Sequence, residues 1–369
     1  MGLNKRVFFV FCLLFLFGGP TWAHKSSDGF LYIDAENNQA RYDIALRDLL
    51  LVTDLDLNDD RTVTGNELTI GWSFIEDFAA THLTFMSDSG NCGLRYQDRG
   101  IVRHSDGVYA SLTLDINCTG GEAPTVVAYT AFAEQDPLHR GLINVSDEAS
   151  ERLLTVVPGG DAVSIQLDPS ENHIGSMFLT FIYEGIVHLL IGLDHILFLL
   201  VLIIPATLRA SGVTSAKERV LQLVGIVTAF TVAHSITLAL AALDIVRLPI
   251  AWVETVIALS IVLAAINVWK PILGEKTWKL AFGFGLIHGF GFASVLGDLT
   301  SGVGNLAVAL GGFNIGVELG QLALIVVLFP VLYAIGHTAF YRKGLVPVAL
   351  LVVSVISINW VIERAPISF

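Results

Sequence analysis

The chain has 369 residues, of which 53% are hydrophobic, and its formal net charge is −13. Residues 24–172 carry 25 acidic and 9 basic side chains, whereas the rest of the chain is slightly positive. The length exceeds one average domain, and an acidic N-terminal part argues against nucleic acid as a partner while allowing cation binding.

The first 23 residues have the pattern of a signal peptide. Lys5 and Arg6 precede an apolar run over residues 7–17, and the small residue Ala23 follows a helix-breaking Gly-Gly-Pro. An apolar run of this length is short of the roughly 20 residues that a membrane-spanning helix needs. We predict cleavage after Ala23 and export of the part that follows, the alternative being an uncleaved anchor.

Residues 24–172 predict an extracytoplasmic β-rich, sandwich-like domain. Polar and apolar residues alternate over residues 30–34 and 40–46, which predicts a β-hairpin. Further strands are predicted at 83–86, 94–97, 108–116, 126–132, 153–157 and 163–167.

Two cysteines, Cys92 and Cys118, remain after the predicted signal peptide. In an oxidising compartment this pair predicts one disulfide, with two free thiols as the alternative.

An acidic loop over residues 56–67 follows the twelve-residue register of an EF-hand, with helical sequence on both sides. Ca²⁺ prefers many converging oxygen ligands, and this register supplies them at positions 1, 3, 5, 7, 9 and 12. The ligands would be Asp56, Asn58, Asp60, Thr62, Thr64 and Glu67. Arg61 stands where such loops normally have glycine. We predict a structural calcium site, the alternative being a solvated acidic helix–loop–helix.

Long apolar runs in the C-terminal half predict an all-α, six-helix transmembrane bundle in contact with the lipid bilayer. The predicted spans are 177–204, 220–243, 249–269, 278–297, 305–335 and 344–362. Connections on one side hold eight Lys and Arg residues, and those on the other side hold two. The positive-inside rule therefore predicts a multi-pass protein of a bacterial inner membrane, with the N-terminal domain and the C-terminus in the periplasm.

Five ionisable side chains fall near the mid-depth of these spans, where such groups are costly and normally mark a functional site: His188, His195, His234, His288 and Glu318. His188 and His195 are two helical turns apart and share a face. The candidate metal ligands are His188, Asp194, His195, His234, His288 and Glu318, and the supporting polar residues are Glu184, Asn314 and Gln321. Imidazole with carboxylate suits Ni²⁺, Co²⁺ or Zn²⁺. The alternative is interhelical hydrogen bonding by these histidines.

The run from His188 to His195 resembles the H-x3-G-x-D-H signature in the first helix of the HupE/UreJ family. The resemblance extends over nearly all of the membrane domain, through Ala-His234-Ser, Ile-His288-Gly-Phe-Gly-Phe-Ala and Phe-Asn314-Ile-Gly-Val-Glu318. Members accompany hydrogenase and urease systems and are regarded as nickel or cobalt permeases, and a longer branch adds an exported N-terminal domain. The resemblance implies that His188, Asp194, His195 and His288 handle metal.

Three functions remain open from the sequence. The first is transport or handling of a divalent transition metal through a midplane site. The second is a zinc-dependent intramembrane hydrolase, in which Asp194, Glu318 and Ser235 would be the catalytic candidates. The third is a membrane assembly or scaffold protein whose β-rich domain binds an exported protein. We favour transport, and we assign no catalytic residue.

Overall fold

The computed structural model describes residues 28–60, 63–104, 107–136, 139–147, 151–167, 173–208, 215–246, 248–270, 277–291 and 303–366. The predicted signal peptide lies outside these residues. A β-rich N-terminal part is followed by a helical part.

The described residues of the N-terminal part contain ten strands, two α-helices and one 3₁₀ turn at Thr119–Gly121. The strands are β1 Asp28–Asp34, β2 Gln39–Ala45, β3 Leu83–Ser87, β4 Gly90–Asn91, β5 Gly93–His104, β6 Gly107–Asn117, β7 Val126–Tyr129, β8 Arg140–Ser146, β9 Glu151–Val156 and β10 Val163–Ser164. The helices are α1 Leu46–Leu49 and α2 Gly65–His82.

The strands form two sheets around one hydrophobic core. A six-stranded sheet has the order β5-β6-β2-β1-β8-β9, and a four-stranded sheet has the order β10-β7-β3-β4. Leu31 and Ile33 of the first sheet share the core with Phe85 and Val127 of the second, and α2 adds Trp72. Two sheets whose apolar faces share a core are the arrangement that the alternating sequence predicts.

The predicted hairpin is confirmed, because β1 and β2 pair antiparallel with Phe30 opposite Asp43. The predicted disulfide is also confirmed, since Cys92 and Cys118 are bonded. The sequence analysis missed β8. Its five central residues are all buried, and it lies between a parallel neighbour, β1, and an antiparallel one, β9. A strand buried on both faces lacks the alternation that reveals a half-exposed one.

The acidic loop joins α1 to α2, but α1 is a single turn of four residues, so the predicted helix before the loop is much shorter than expected. Thr64 caps α2, and its side chain and Glu67 form a reciprocal capping box.

The described residues of the C-terminal part contain seven α-helices. They are α3 His173–Ile191, α4 Leu193–Thr207, α5 Ala216–Ala242, α6 Ile250–Trp269, α7 Thr277–His288, α8 Val303–Ile335 and α9 Val346–Arg364. Among the described residues, five segments are long and apolar enough to cross a membrane, namely Ile174–Ile191, Ala216–Ala242, Ile250–Trp269, Leu306–Ile335 and Tyr341–Arg364.

The prediction of six uninterrupted spans is therefore not confirmed. The first predicted span is two helices, α3 and α4, separated at Gly192. The fourth is the twelve-residue helix α7 followed by one 3₁₀ turn to Gly291, and residues 292–300 lie outside the described part of the chain. The other four predicted spans each contain one long helix.

Glycines bring two pairs of these helices into close contact. A Cβ atom added to Gly312 or Gly316 in α8 would meet the carbonyl oxygen of Phe178 or Ile182 in α3, respectively. A Cβ atom added to Gly336, just after α8, would meet that of Thr207 at the end of α4. The contacts thus follow the same order along both segments of the chain. The α3–α4 pair and α8 therefore run parallel. Likewise α5 and α7 run parallel, with Gly285 against Phe230 and Gly289 against His234. Small residues permit this approach of helix backbones in membranes.

The six-stranded sheet rests on one end of the membrane helices. Phe30 and Leu142 share an apolar cluster with Met177, Leu306 and Phe313, which we call the proximal cluster. The opposite end holds the distal cluster, which includes Phe198, Phe230, Ile325 and Tyr341. We use proximal and distal for these two ends of the helices.

Candidate metal site

The break between α3 and α4 shapes the candidate site. Gly192 has φ −66° and ψ 95°, so the backbone leaves the helical conformation there and α4 begins at Leu193. A Cβ atom at Gly192 would lie 2.7 Å from Nδ1 of His195 and 2.9 Å from the His188 carbonyl oxygen. Broken helices that present backbone and side-chain groups at membrane depth are a recurring design of ion sites in transporters.

Four histidines from α3, α4, α5 and α7 lie together in what we call the histidine layer: His188, His195, His234 and His288. The ring centroid of His195 lies 5.0 Å from that of His188, 5.3 Å from that of His288 and 6.5 Å from that of His234. His195, His234 and His288 are buried. The layer lies between the proximal and distal clusters, since His188 contacts Phe313 and His195 contacts Phe230.

Hydrogen bonds fix the tautomers of two of these rings. Oδ1 of Asp194 accepts from Nδ1 of His195 at 2.9 Å and from its backbone amide at 2.8 Å. The carbonyl oxygen of Phe284 accepts from Nδ1 of His288 at 2.8 Å. A carbonyl oxygen only accepts, and Oδ1 of Asp194 already accepts from the backbone amide, so each Nδ1 is the donor. In a neutral ring the lone pair is then on Nε2. This is the arrangement that orients metal-binding histidines.

Four ring nitrogens in the layer are buried and have no hydrogen-bond partner among the described residues. They are Nε2 of His195, Nε2 of His288 and both ring nitrogens of His234. An unsatisfied buried polar group costs about 1–3 kcal/mol, so a ligand that binds these nitrogens would stabilise the layer. Imidazole nitrogen is also the donor that Zn²⁺, Ni²⁺ and Co²⁺ prefer.

The donor chemistry fits a transition metal, but the rings do not form a closed site. No group of three or more His, Cys, Asp or Glu side chains in the described part of the chain is arranged to hold a metal ion. Two imidazoles bound to one ion, with metal–nitrogen distances of about 2.1 Å, have centroids about 5 Å apart. The distances of His188 and His288 from His195 are close to that spacing, and the ring of His234 is farther away.

A polar seam between α5 and α8 contains other predicted site residues. The Thr228 hydroxyl donates to Oε1 of Glu318 at 2.6 Å, and the Thr231 hydroxyl donates to Oε1 of Gln321 at 3.0 Å. The Ser235 hydroxyl donates to the Thr231 carbonyl oxygen at 2.7 Å.

The remaining two supporting residues lie apart from this seam. The Asn314 amide donates to the Leu310 carbonyl within α8, and its buried Oδ1 has no hydrogen-bond partner in the described residues. Glu184 is placed toward the β-rich part, where Thr155 hydrogen-bonds its carboxyl and Arg140 is nearby. The structure therefore groups the histidines and Asp194, and it directs Glu184 toward the sheet.

A model of the HupE/UreJ protein family matches residues 166–364, which is more than half of the chain and includes the whole histidine layer. The chain belongs to the HupE/UreJ family. This is a family of membrane proteins linked to nickel and cobalt handling. A comparison with curated proteins gives no match.

In this HupE/UreJ protein the H-x3-G-x-D-H motif corresponds to one local structure. The first histidine, His188, is near the end of α3, the glycine is at the helix break, and the Asp-His pair opens α4. Asp194 lies in the first turn of α4, where a negative charge is favourable because of the helix dipole. The spacing of the motif therefore brings two histidines and the orienting carboxylate together around the break.

The acidic loop of the N-terminal part is a second candidate site. Glu67 accepts from the Leu57 amide at 3.0 Å, the Thr64 amide at 2.8 Å and the Thr64 hydroxyl at 2.7 Å. These hydrogen bonds, that of the Thr64 side chain first, lower the pKa of the Glu67 carboxyl. The Asp60 amide donates to Asp56 and Asn58. Arg61 and the predicted ligand Thr62 lie outside the described residues.

The sequence analysis missed the aromatic residues around the histidine layer. Phe230 stacks on His234 with centroids 5.9 Å apart and lies 5.2 Å from His288. Phe198 lies 5.7 Å from the His288 ring. The available signal was their spacing, because each of these phenylalanines lies about one helical turn from a histidine on its own helix.

Proposed function

We propose that this HupE/UreJ protein transports a divalent transition metal of the nickel or cobalt type, with the histidine layer as its transient binding site. The observation that supports this most is the set of four buried ring nitrogens without hydrogen-bond partners among the described residues. A borderline metal ion would take Nε2 of His195, Nε2 of His288 and one ring nitrogen of His234, and Asp194 would orient His195 toward it. The ring nitrogens of the histidine layer are close together but do not form a closed metal site. Such an open arrangement suits an ion that must be both bound and released.

The test is metal binding by the detergent-purified full chain, measured by elemental mass spectrometry and by titration with Co²⁺ and Ni²⁺. We expect binding that is reversible on dialysis and lost in His195→Ala/His288→Ala. The control is His337→Ala, because His337 is an exposed histidine at the distal end of the same domain. Absence of binding in the unaltered chain would refute the proposal, as would equal loss in the control.

Uptake into vesicles that contain the purified protein then separates transport from tight metal retention. We expect vesicles with the protein to accumulate more Co²⁺ or Ni²⁺ than vesicles without it. We expect vesicles with the double histidine variant to accumulate no more than the empty ones. A metal that remains bound through dialysis and does not cross would instead favour the zinc hydrolase. The structure gives that alternative less support, because Ser235 and Glu318 are engaged in hydrogen bonds of the seam.

We also propose that the β-rich part lies outside the cytoplasm and that the chain crosses the membrane six times. With alternating crossings, the first and fifth segments run the same way, and so do the second and fourth. The parallel packing of α3–α4 with α8 and of α5 with α7 supports this arrangement. An alkaline-phosphatase fusion after the last residue should be active in the periplasm, and an inactive fusion would contradict the orientation.

A further inference from the structure

A second layer of side chains lies next to the histidine layer. Three of the four histidines have a phenylalanine about one helical turn away on the same helix: Phe198 follows His195 by three residues, and Phe230 and Phe284 precede His234 and His288 by four. The Phe198 ring lies 5.4 Å from that of Phe230 and 5.5 Å from that of Phe284. We call these three residues the phenylalanine layer.

All three phenylalanines lie on the distal side of the histidines. Helix α4 continues the direction of α3 from the proximal to the distal end, so Phe198 is distal to His195 by about 4.5 Å. Helix α5 runs the opposite way, because its early residue Leu223 belongs to the distal cluster and its late residue Leu238 to the proximal one. Since α7 is parallel to α5, Phe230 and Phe284 are also distal to their histidines.

The layer is apolar and continuous with the distal cluster. Phe198 and Phe230 are 2% and 1% exposed and belong to that cluster, and Phe284 packs against it. Phe284 has a second role, because its carbonyl oxygen holds Nδ1 of His288. Apolar constrictions in membrane proteins block ions because water leaves them, and a hydrated ion cannot follow.

We propose that Phe198, Phe230 and Phe284 form the barrier between the histidine layer and the distal end of the membrane domain. This proposal rests on the proposed function, since the ion that must displace the barrier is the metal held by the histidines. The barrier also favours particular ions. An ion that exchanges its water ligands for imidazole can lie next to the barrier. Mg²⁺ cannot, because it dehydrates reluctantly and prefers oxygen ligands.

The test is the reaction of histidines with diethyl pyrocarbonate in the purified full chain after chelator treatment, measured for each residue by peptide mass spectrometry. In the unaltered chain we expect His195, His234 and His288 to react at least tenfold more slowly than the exposed His337. We expect Phe230→Ala and Phe284→Ala each to increase the reaction of His195 and His288 at least fivefold. Two independent variants protect the test against the misfolding of one, and gel filtration reports which of them is folded.

Two control variants distinguish loss of the barrier from a general loss of packing in the membrane domain. Phe230→Leu keeps an apolar side chain of similar volume and should retain the protection. Phe329→Ala removes a phenylalanine of the distal cluster that is 4% exposed, and it should leave the histidines protected. Unchanged protection in a folded Phe230→Ala or Phe284→Ala chain would overturn the proposal, as would an equal increase in Phe329→Ala.

A second measurement distinguishes this inference from the proposed function. Stopped-flow release of bound Co²⁺ should be about tenfold faster in Phe230→Ala, with unchanged stoichiometry. If the unaltered chain binds no metal, the proposed function fails, while the labelling result still decides whether the barrier exists. If metal binds and both the release rate and the labelling are unchanged in the variant, only the barrier is refuted.

Discussion

Gly192 lies so close to His195 that a Cβ atom on the glycine would be 2.7 Å from the Nδ1 atom of the imidazole and 3.1 Å from Oδ1 of Asp194. We therefore predict that Gly192→Ala displaces the Asp194–His195 pair and lowers Co²⁺ affinity at least tenfold, measured by titration. The control is Gly225→Ala in α5, where an added Cβ would meet no atom within 4 Å. Equal affinity in the two variants would mean that the break does not position His195.

Asp194 holds the tautomer of His195, so Asp194→Asn should weaken metal binding without removing a histidine. We predict a loss of 10- to 100-fold in affinity, which is the usual effect of removing a carboxylate that orients a metal-binding histidine. Titration with Ni²⁺ and Co²⁺ measures it, and Asp244→Asn, in the turn after α5, is the control. If Asp194→Asn binds as the unaltered chain does, the carboxylate is not needed for orientation.

Glu67→Gln separates calcium binding from helix capping. Glutamine can retain the capping box with Thr64, but it lacks the carboxylate that a bidentate Ca²⁺ ligand requires. If the loop binds Ca²⁺, added Ca²⁺ should raise the midpoint of thermal unfolding of the unaltered chain by several degrees and should have no effect on Glu67→Gln. If Ca²⁺ changes the unfolding midpoint of neither the unaltered chain nor Glu67→Gln, the loop does not bind Ca²⁺ and serves only to cap α2.

The Cys92–Cys118 disulfide closes a loop across a sequence separation of 26 residues. On the chain-entropy estimate such a loop stabilises the folded state by about 3.5 kcal/mol. We predict that Cys92→Ser/Cys118→Ser lowers the unfolding midpoint of the β-rich part in the full chain, followed by circular dichroism in the strand region. Reductant should produce the same decrease in the unaltered chain and no further decrease in the variant.

The stability of the β-rich part should fall as pH falls from 6.5 to 4. Burial lowers the pKa of His139 from 6.5 to about 4, and the ring nitrogen Nε2 lies 2.6 Å from the Tyr129 hydroxyl. Between these values the unfolded chain binds a proton that the folded chain does not, so protonation favours unfolding. The full effect is about 3 kcal/mol.

Denaturant unfolding between pH 4 and pH 7 measures the contribution of His139. His139→Gln should flatten this part of the pH profile, whereas His337→Gln should leave it unchanged. A profile that keeps its slope in His139→Gln would assign the effect to other groups.

The sequence predicted those features that depend on a local pattern. Alternating residues gave the β1–β2 hairpin, and histidines at membrane depth identified the metal-site candidates. The break at Gly192 was missed because residues 177–204 are predominantly apolar on both sides of the glycine, and hydropathy does not distinguish a continuous helix from two joined end to end. The phenylalanine layer was missed because the hydrophobicity of a phenylalanine in an apolar helix does not reveal whether its ring contacts lipid or a histidine.

Some roles depend on contacts distant in the sequence and could not be derived from spacing. Glu318 was grouped with the histidines by depth, whereas its hydrogen-bond partner, Thr228, is 90 residues away. Glu184 shares a helix face with His188, but it is directed toward the sheet because β9 lies over that part of α3.

The parallel packing of α3 with α8 has a consequence for how the protein is made. The two helices begin about 130 residues apart, so the first membrane helix is synthesised long before the partner that covers its glycine-lined face. The same late helix supplies Leu306 and Phe313 to the cluster beneath the six-stranded sheet. A ribosome must therefore complete α8 before either the first helix or the β-rich part has its final neighbours. Chains that stop earlier would present an uncovered helix surface in the bilayer, where membrane proteases could recognise them.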